Sequence, residues 1–442
     1  MKHIKKLKKG FLVLEPDSLS WVIADSHSEA VRFRFSEAQI RERKDAIQRD
    51  RANRRLDLVE LHISHKCNLD CRYCYVPNSL KRQPTQLAYA DVKFILGKID
   101  GYSKITGKRP AINLHGGEPT LHYEMIKKII TEYGADFKFV MQTNGSILNE
   151  RQLDFFISRQ IDVGFSIDTL SGKCPVRQGL DNSRVIQSIG HMCANGCSPN
   201  ILVTLSKFNV KTVPTLIKKL HAIGVSSLTL NPITPYTDDA AEHMAPMEDV
   251  ISTYLSCVGY ALDTTRNDPH HPLFINHMES LSLSILTNRS SSYCEMSPCG
   301  AGSLLVVIGP NGQVWPCSGG ISNQNITLGN IFEEDLLEML HSENNRIFPR
   351  RNVKDIPGCS DCAYRQICGA NCPLPAINKG QSQGVKSDLC QLRSTLIDFI
   401  FDYISTPGTD ILDFMSYQTR KSLLGAHFDA TEPDNPLIET GT

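Results

Sequence analysis

The sequence predicts an α/β protein in which a partial (β/α)6 barrel precedes an irregular, cysteine-rich domain. Three observations support this fold class: strand-like and helix-like segments alternate between residues 57 and 235, polar or glycine residues follow each strand-like segment, and most of the 15 cysteines fall in two short-spaced clusters. Alternating strands and helices form a parallel sheet with helices outside it. The length of 442 residues allows two or three domains.

Hydrophobic periodicity places each element of the barrel, 57–235. The strands are predicted at Leu58–Ser64, Ala111–His115, Phe137–Gln142, Val163–Ile167, Ile201–Leu205 and Ser227–Leu230. The helices are predicted at Ala90–Lys98, Tyr123–Tyr133, Asn149–Ser158, Ser183–Ala194 and Val213–Ala222, and a further helix, Met247–Thr264, follows the last strand. Because parallel strands carry their carboxyl ends to one edge, polar turns such as Gly116-Gly117-Glu118 should meet there and form a site.

The remaining chain is predicted to divide around this barrel. Residues 1–56 form an extension with a hairpin and a charged helix, and residues 236–290 form a helical linker. Residues 291–400 have little periodicity and much Gly, Pro and Asn, which suits a domain organised around metal. Residues 401–442 are predicted to form a C-terminal helix and a loose tail.

Composition limits the classes of partner. The 47 basic and 47 acidic residues give a formal net charge of zero, so no general attraction to nucleic acid is expected. No apolar run approaches the roughly 20 residues that a membrane span needs. The apolar stretch Phe11–Leu14, which follows the N-terminal lysines, is too short for an export signal. We therefore expect a cytoplasmic protein that binds neither nucleic acid nor membrane.

The first cysteine cluster has the spacing Cys67-x3-Cys71-x2-Cys74. Three thiolates fill three corners of an iron–sulfur cluster that takes four ligands, so one iron would stay open to substrate. Short-spaced cysteines in a chain without an export signal favour metal binding over disulfides. His62 and His115 lie in strand segments, and we interpret them as core or cavity-lining residues.

The second cysteine cluster contains eight cysteines, the number that two fully ligated iron–sulfur clusters need. They are Cys294, Cys299, Cys317, Cys359, Cys362, Cys368, Cys372 and Cys390. A zinc-binding interaction module is the competing, non-enzymatic interpretation, because two of these short spacings also suit zinc. That interpretation leaves the first cysteine cluster and the polar strand ends unexplained.

The first cluster resembles that of the radical S-adenosylmethionine (SAM) superfamily, in which an aromatic residue precedes the third cysteine, as Tyr73 does here. The segment from Cys299 to Cys390 resembles the SPASM auxiliary-cluster domain and contains its full seven-cysteine pattern. The resemblance implies a SAM-binding four-iron–four-sulfur (4Fe-4S) cluster, two auxiliary 4Fe-4S clusters, and a 5′-deoxyadenosyl radical that abstracts a hydrogen atom. The three cysteines of the first cluster would hold the catalytic iron–sulfur group.

The resemblance also implies which residues contact SAM. They are Gly117 and Glu118 for the methionine amino group, Ser166 and Arg177 for the carboxylate, and Tyr73 and Leu230 for the adenine. A glutamate carboxylate is a suitable acceptor for an ammonium group.

The same resemblance implies two auxiliary ligand sets. The nearer auxiliary cluster would be held by Cys294, Cys299, Cys317 and Cys372, and the outer one by Cys359, Cys362, Cys368 and Cys390. Cys294 lies outside the seven-cysteine pattern. If Cys294 is not a ligand, the nearer cluster keeps an open iron at which a substrate thiolate could bind.

SPASM-type radical SAM proteins mostly modify peptides, and the resemblance implies a maturase that installs a thioether or carbon–carbon crosslink in a ribosomally made precursor peptide. The alternative is oxidation of a Cys or Ser to formylglycine, as in anaerobic sulfatase maturases. In those enzymes an aspartate base follows the cysteine that matches Cys317. Ser318 stands there in this chain, and serine is a poor base at neutral pH.

The implied partners are the precursor peptide and an electron donor of the flavodoxin or ferredoxin type. Residues 1–56 would either bind the leader of the peptide by adding a strand to a small sheet, or cap the barrel.

Overall fold

The computed structural model describes residues 2–83, 85–170, 175–179, 181–287, 290–382, 384, 387 and 389–425. The tail predicted after Gly425 lies outside the described residues. The strands are β1 His3–Lys6, β2 Phe11–Glu15, β3 Ser20–Ala24, β4 Leu58–His62, β5 Asp70–Cys71, β6 Ala111–His115, β7 Phe139–Thr143, β8 Asp162–Ser166, β9 Arg177–Gln178, β10 Ile201–Leu205, β11 Ser227–Pro232, β12 Phe274–Ile275, β13 Leu305–Ile308, β14 Gln313–Trp315 and β15 Gly329–Asn330.

The helices alternate with these strands through the middle of the chain. They are α1 His27–Arg32, α2 Glu37–Ala52, α3 Asn78–Lys81, α4 Tyr89–Thr106, α5 Tyr123–Tyr133, α6 Glu150–Ser158, α7 Asn182–Ala194, α8 Val213–His221, α9 Asp238–Glu242, α10 Met247–Asn267, α11 Asn276–Thr287, α12 Leu336–His341, α13 Arg365–Cys368, α14 Leu374–Asn378, α15 Cys390–Ile404 and α16 Tyr417–Leu424. Short 3-10 helices lie at Pro119–His122, Ser318–Ser322, Gln324–Ile326, Glu343–Asn345, Val353–Asp355 and Ile411–Phe414.

The predicted six-stranded parallel sheet is confirmed, and the structure extends it at both edges. The order of the large sheet is β12-β11-β10-β8-β7-β6-β4-β13-β14-β15. All neighbours from β12 to β13 are parallel, whereas β14 and β15 are antiparallel additions. The cysteine-rich domain therefore begins as a continuation of the barrel sheet, with Val307 of β13 opposite Glu60 of β4.

Several predicted boundaries differ in the structure, and two of the differences have a clear local cause. The strand predicted at Leu58–Ser64 ends at His62, because the chain then leaves the sheet and Ser64 forms an isolated bridge with Gln86. The helix predicted at Ala90–Lys98 runs on to Thr106, where Gly107 ends it in the left-handed region at φ 70°. The strands β6 and β10 and the helix α5 have the predicted bounds.

Strand β4 shows how the sheet is buried on both faces. Val59 and Leu61 are fully buried in the main hydrophobic core. Side chains alternate along a strand, so Glu60 and His62 face the opposite side, which is the lumen of the partial barrel. The lumen face therefore carries polar chemistry while the helix-facing side carries the apolar packing.

The N-terminal extension is a three-stranded antiparallel sheet followed by α1 and α2. Asp17 accepts hydrogen bonds from Nε and Nη2 of Arg365 at 3.1 and 2.7 Å, and its carboxylate lies 3.1 Å from Lys354. Trp21 donates through Nε1 to the carbonyl of Ile285 at 3.1 Å. These contacts fix the extension to the cysteine-rich domain and to helix α11 of the linker.

The linker packs against the barrel. Strand β12 pairs with β11, while α10 contacts α8, α15 and β12. Among the described residues, no helix is both long enough and apolar enough to cross a membrane.

Candidate active site

The loop that carries the first cysteine cluster is held by the Gly116-Gly117-Glu118 turn. The amide of Gly117 donates to the carbonyl of Ser64 at 3.0 Å, and the amide of Glu118 donates to the carbonyl of Lys66 at 2.9 Å. A Cβ atom on Gly117 would lie 2.1 Å from the Lys66 carbonyl oxygen. A side chain at this position would therefore push the cysteine loop away from the sheet.

The three thiols of this loop are half-buried and influence one another. Burial raises the pKa of the Cys71 thiol to about 12; Arg177 opposes the shift, and the Cys74 and Cys67 thiols add to it. Burial also raises the pKa of Cys67. Three grouped thiols resist ionisation together unless a cation compensates their charge, and metal binding supplies that cation. The residues present thus fit an iron–sulfur cluster.

Glu118 lies in the predicted place, but the protein already engages its carboxylate. Oε1 accepts hydrogen bonds from the amide and hydroxyl of Thr120 at 3.0 and 2.5 Å and from the hydroxyl of Thr143 at 2.6 Å. Oε2 accepts one from the amide of Asn144 at 2.8 Å. The side chain is almost completely buried. In this structure the carboxylate ties together the turns that follow β6 and β7.

Asp168 was not among the predicted site residues, but it contacts two of them, Tyr73 and Arg177. Its Oδ2 accepts a 2.5 Å hydrogen bond from the hydroxyl of Tyr73 and lies 3.6 Å from Nη1 of Arg177, while Oδ1 accepts from the amide of Thr204 at 2.9 Å. Asp168 and Arg177 are buried, with side chains 1% and 4% exposed. In the sequence, Asp168 belongs to the polar turn that follows β8, and this position could have identified it as a candidate.

The two predicted carboxylate contacts, Arg177 and Ser166, lie on strand β9 and at the end of strand β8. Strand β9 sets Arg177 directly opposite Cys71 of β5. Nε of Arg177 is buried and has no hydrogen-bond partner among the described residues. A buried guanidinium N–H without an acceptor costs free energy, so this side chain fits a ligand carboxylate. Ser166, at the end of β8, accepts a 2.9 Å hydrogen bond from Nε2 of Gln142.

The structure does not bring Leu230 into this group. Its side chain is fully buried in the main hydrophobic core, on the same face of β11 as Leu228. The hydroxyl of Tyr254, from helix α10, donates to its carbonyl. The adjacent side chains Thr229 and Asn231 lie on the other face of the strand.

The auxiliary cysteines influence one another within an inner and an outer group. In the inner group, burial raises the pKa of Cys317, and the thiols of Cys372, Cys299 and Cys294 add to the shift. The structure therefore brings Cys372 and also Cys294 to the inner group.

In the outer group, burial raises the pKa of Cys368 to about 11, Arg393 opposes the shift, and Cys390 and Cys362 add to it. Arg351 lies near Cys299 and Cys372 of the inner group and also near Cys359 and Cys368. The order of cysteines along the chain does not reveal either grouping.

A cluster of polar side chains lines the lumen between the first cysteines and the inner auxiliary group. Glu60 accepts a 2.7 Å hydrogen bond from the hydroxyl of Ser318, and its carboxylate lies 3.7 Å from Nε2 of His62. The rings of His62 and His115 stack at 5.3 Å. Tyr75 lies near Glu60 and near the thiols on both sides, those of Cys74 and Cys317.

Hydrogen bonds and burial set the protonation of the polar side chains in the lumen. The amide of Gly116 donates to Nδ1 of His115 at 2.8 Å, so the proton of the neutral ring is on Nε2. Burial lowers the pKa of His62, whose two ring nitrogens have no hydrogen-bond partner among the described residues. Burial acts to raise the pKa of Glu60, but the nearby imidazoles of His62 and His115 and the hydrogen bond from Ser318 lower it below its usual value. The cluster presents a buried carboxylate, which suits proton transfer.

Two family models match separate parts of the chain. Residues 61–220 match the model described as the Radical SAM superfamily, and residues 299–363 match the model of an iron–sulfur cluster-binding domain, SPASM.

Known proteins with related sequence or fold include peptide- and protein-modifying enzymes. The serine-type anaerobic sulfatase-maturating enzyme of Bacteroides thetaiotaomicron is 23% identical, over 70% of this chain and 80% of that protein. The structure of native anSMEcpe with bound AdoMet and Cp18Cys peptide has a TM-score of 0.65 at 20% identity, over 78% of this chain and 96% of that one.

The structure of Streptococcus suis SuiB bound to precursor peptide SuiA has a TM-score of 0.62 at 16% identity, over 88% of this chain and 100% of that one. At these identities the two structures establish a shared fold.

Proposed function

Because the chain is a radical SAM enzyme that carries a SPASM iron–sulfur domain, we propose that it abstracts a hydrogen atom from a precursor peptide and installs a thioether or carbon–carbon crosslink. The observation that carries this proposal is the lumen between the two groups of cysteines. Tyr75 lies near Cys74 on one side and near Cys317 on the other, with Glu60 beside it. A peptide side chain held there would meet both iron–sulfur sites.

The bound SAM and its cluster would supply the hydrogen-abstracting radical. Cys67, Cys71 and Cys74 would hold that cluster, and the free Nε of Arg177 would hold the SAM carboxylate. Asp168 contacts both Arg177 and Tyr73 and so holds the two side chains on the same side of the proposed SAM site. Gly117 keeps the cysteine loop close to the sheet. The contacts proposed for Glu118 and Ser166 are to the same ligand.

Glu60 is the proposed proton acceptor for the substrate. To become product, the peptide radical must lose one electron, which an auxiliary cluster would accept, and one proton, which a carboxylate near the reacting carbon can take. Ser318, the neighbour of Cys317, donates to Glu60 at 2.7 Å, so a proton taken by Ser318 can pass to the carboxylate. The two residues together place a base beside the inner auxiliary group.

The same contact favours formylglycine formation as a second candidate function. Ser318 stands where sulfatase maturases have an aspartate, and Glu60 supplies a carboxylate to that place from the neighbouring strand. The related Bacteroides thetaiotaomicron protein is a serine-type anaerobic sulfatase-maturating enzyme. Both candidate reactions remove two hydrogens from a peptide.

The N-terminal sheet is the proposed binding site for the leader of the peptide. Strand β1 pairs with β2 alone among the described residues, and its last two residues, Lys5 and Lys6, are exposed. A peptide could add to this edge as a fourth strand through main-chain hydrogen bonds. A flavodoxin- or ferredoxin-type protein is the proposed electron donor.

The proposed function is tested by incubating the reconstituted enzyme anaerobically with SAM, a reductant and short peptides encoded beside its gene, or a sulfatase peptide that contains Cys or Ser. A crosslink should appear in mass spectra as the loss of two hydrogens, with no fragments between the joined residues. Formylglycine should react with a hydrazine. A peptide set that stays unmodified would contradict both reactions.

The variant Glu60→Gln separates proton transfer from radical formation in this assay. It should form 5′-deoxyadenosine as the wild type does, while modified peptide falls by about 100-fold, the size of a general-base contribution. Glu15→Gln is the matched control, because Glu15 is equally buried and also accepts from a serine, Ser18, at 2.6 Å. Equal losses of product in both variants would contradict the role of Glu60.

A further inference from the structure

The two auxiliary cysteine groups are joined by an unusual backbone turn. Cys368 of the outer group and Cys372 of the inner group are separated by Gly369, Ala370 and Asn371, whose φ values are 64°, 61° and 54°. The left-handed region carries a steric cost for residues with a side chain, such as Ala and Asn. A run of three residues in this region therefore persists only where surrounding contacts hold it. This link will be called the left-handed turn.

Arg351 holds the left-handed turn. Its Nη1 donates to the carbonyls of Gly369 and Asn371 at 3.4 and 3.0 Å, and its Nη2 donates to the carbonyl of Ala370 at 3.2 Å. The side chain is buried, with 5% of the residue exposed. One guanidinium therefore satisfies all three carbonyls between two cysteines of different groups.

The position of this side chain brings one positive charge near thiols of both groups. Arg351 interacts with Cys299 and Cys372 of the inner group and with Cys359 and Cys368 of the outer group. Because the site is buried, water screens this charge less than it would at the surface.

A second arginine nearby has a different role. Nε of Arg393 donates to Oδ1 of Asn371 at 3.0 Å. The side-chain nitrogen of Asn371, Nδ2, donates to the sulfur of Cys368 at 3.6 Å. Arg393 is also paired with the buried carboxylate of Glu295. Arg393 thus supports the turn while its charge is balanced by an acid.

We propose that Arg351 sets the reduction potentials of both auxiliary clusters together. Reduction adds an electron to a cluster, and a buried positive charge beside its ligands favours the reduced form. A single guanidinium between the groups would raise both potentials and keep them close, which suits the passage of an electron from one cluster to the other. This inference rests on the proposed assignment of the eight cysteines to two clusters.

The test is a redox titration monitored by electron paramagnetic resonance on the reconstituted enzyme and its Arg351→Gln variant. Both auxiliary potentials should fall by at least about 59 mV, which is a tenfold change in the ratio of reduced to oxidised cluster for one electron. The potential of the SAM-binding cluster should stay unchanged. Arg350→Gln, which alters the exposed neighbouring arginine, should leave all potentials as in the wild type.

Arg351→Lys distinguishes charge from turn geometry, because lysine keeps the charge but lacks the planar fork. It should keep both auxiliary potentials near the wild-type values. An equal fall in the Lys and Gln variants, or unchanged potentials in Arg351→Gln, would overturn the proposal.

Loss of the auxiliary irons in Arg351→Gln but not in Arg351→Lys would overturn it as well, since the charge would then hold the clusters rather than tune them. A wild-type enzyme with no auxiliary signal would overturn the cysteine assignment itself. Peptide modification is measured separately and does not depend on this result.

Discussion

Replacing Cys67, Cys71 and Cys74 together by alanine should abolish the formation of 5′-deoxyadenosine and lower the iron content from about twelve to about eight per chain. The thiols lie on one loop, and the cluster that they hold is the one that leaves an iron open for SAM. The loop is anchored by main-chain hydrogen bonds from Gly117 and Glu118, which these substitutions leave in place. The auxiliary clusters should therefore remain. Chromatography measures the 5′-deoxyadenosine that forms, and iron analysis measures the iron content per chain.

The matched control is a triple variant of cysteines outside both clusters. Cys193→Ala, Cys197→Ala and Cys257→Ala remove the same number of thiols, of which Cys257 is buried in the core. This control should keep about twelve irons and form 5′-deoxyadenosine. Continued SAM cleavage by the variant of the first cluster would show that other residues hold the catalytic iron.

Asp168→Ala should lower the free energy of unfolding by about 3–5 kcal/mol, because it leaves the buried guanidinium of Arg177 without its acidic partner. It also removes the acceptor for the hydroxyl of Tyr73. Both residues then lose their fixed positions along the wall of the proposed SAM site, so the affinity for SAM should fall as well. Denaturant unfolding measures the first effect and equilibrium dialysis with SAM measures the second.

Asp162→Asn is the matched control because Asp162 begins strand β8, the strand that Asp168 follows. Its salt bridge with Lys138, at 3.0 Å, is exposed on both sides. Loss of an exposed pair costs about 0–1 kcal/mol, and SAM binding should stay unchanged. If Asp168→Ala unfolded at the same denaturant concentration as this control and bound SAM equally well, the organising role of Asp168 would be wrong.

The barrel could be predicted from the sequence because its signals are local. Apolar periodicity and turn residues define each βα unit, and strand β6, strand β10 and helix α5 have the predicted bounds. The pairing of β13 with β4 could not be predicted in this way. It joins segments about 250 residues apart, and no local pattern reports which edge of a sheet a distant strand will take.

Site residues were predictable where a motif names them and less so where geometry decides. The family motif names the auxiliary cysteines, and the structure brings Cys372 near Cys317 and Cys299, although Cys368 is closer to it along the chain. The side chain of Leu230 is buried on the helix-facing side of its strand. A motif alignment that is wrong by one residue names a side chain on the opposite face of a strand, because successive side chains alternate. Asp168 carries no motif of its own. Its importance arises only when Tyr73 and Arg177, far apart along the chain, meet it in the fold.

The proposed chemistry is tested most directly by following hydrogen from the peptide. The wild-type enzyme is given SAM, a reductant and the candidate peptides made with deuterium at their carbon-bound positions. Hydrogen abstraction from the peptide predicts deuterium in the 5′-deoxyadenosine that forms, seen as a mass increase by mass spectrometry. 5′-Deoxyadenosine that forms with every candidate peptide but carries no deuterium would contradict a peptide as the source of the abstracted hydrogen.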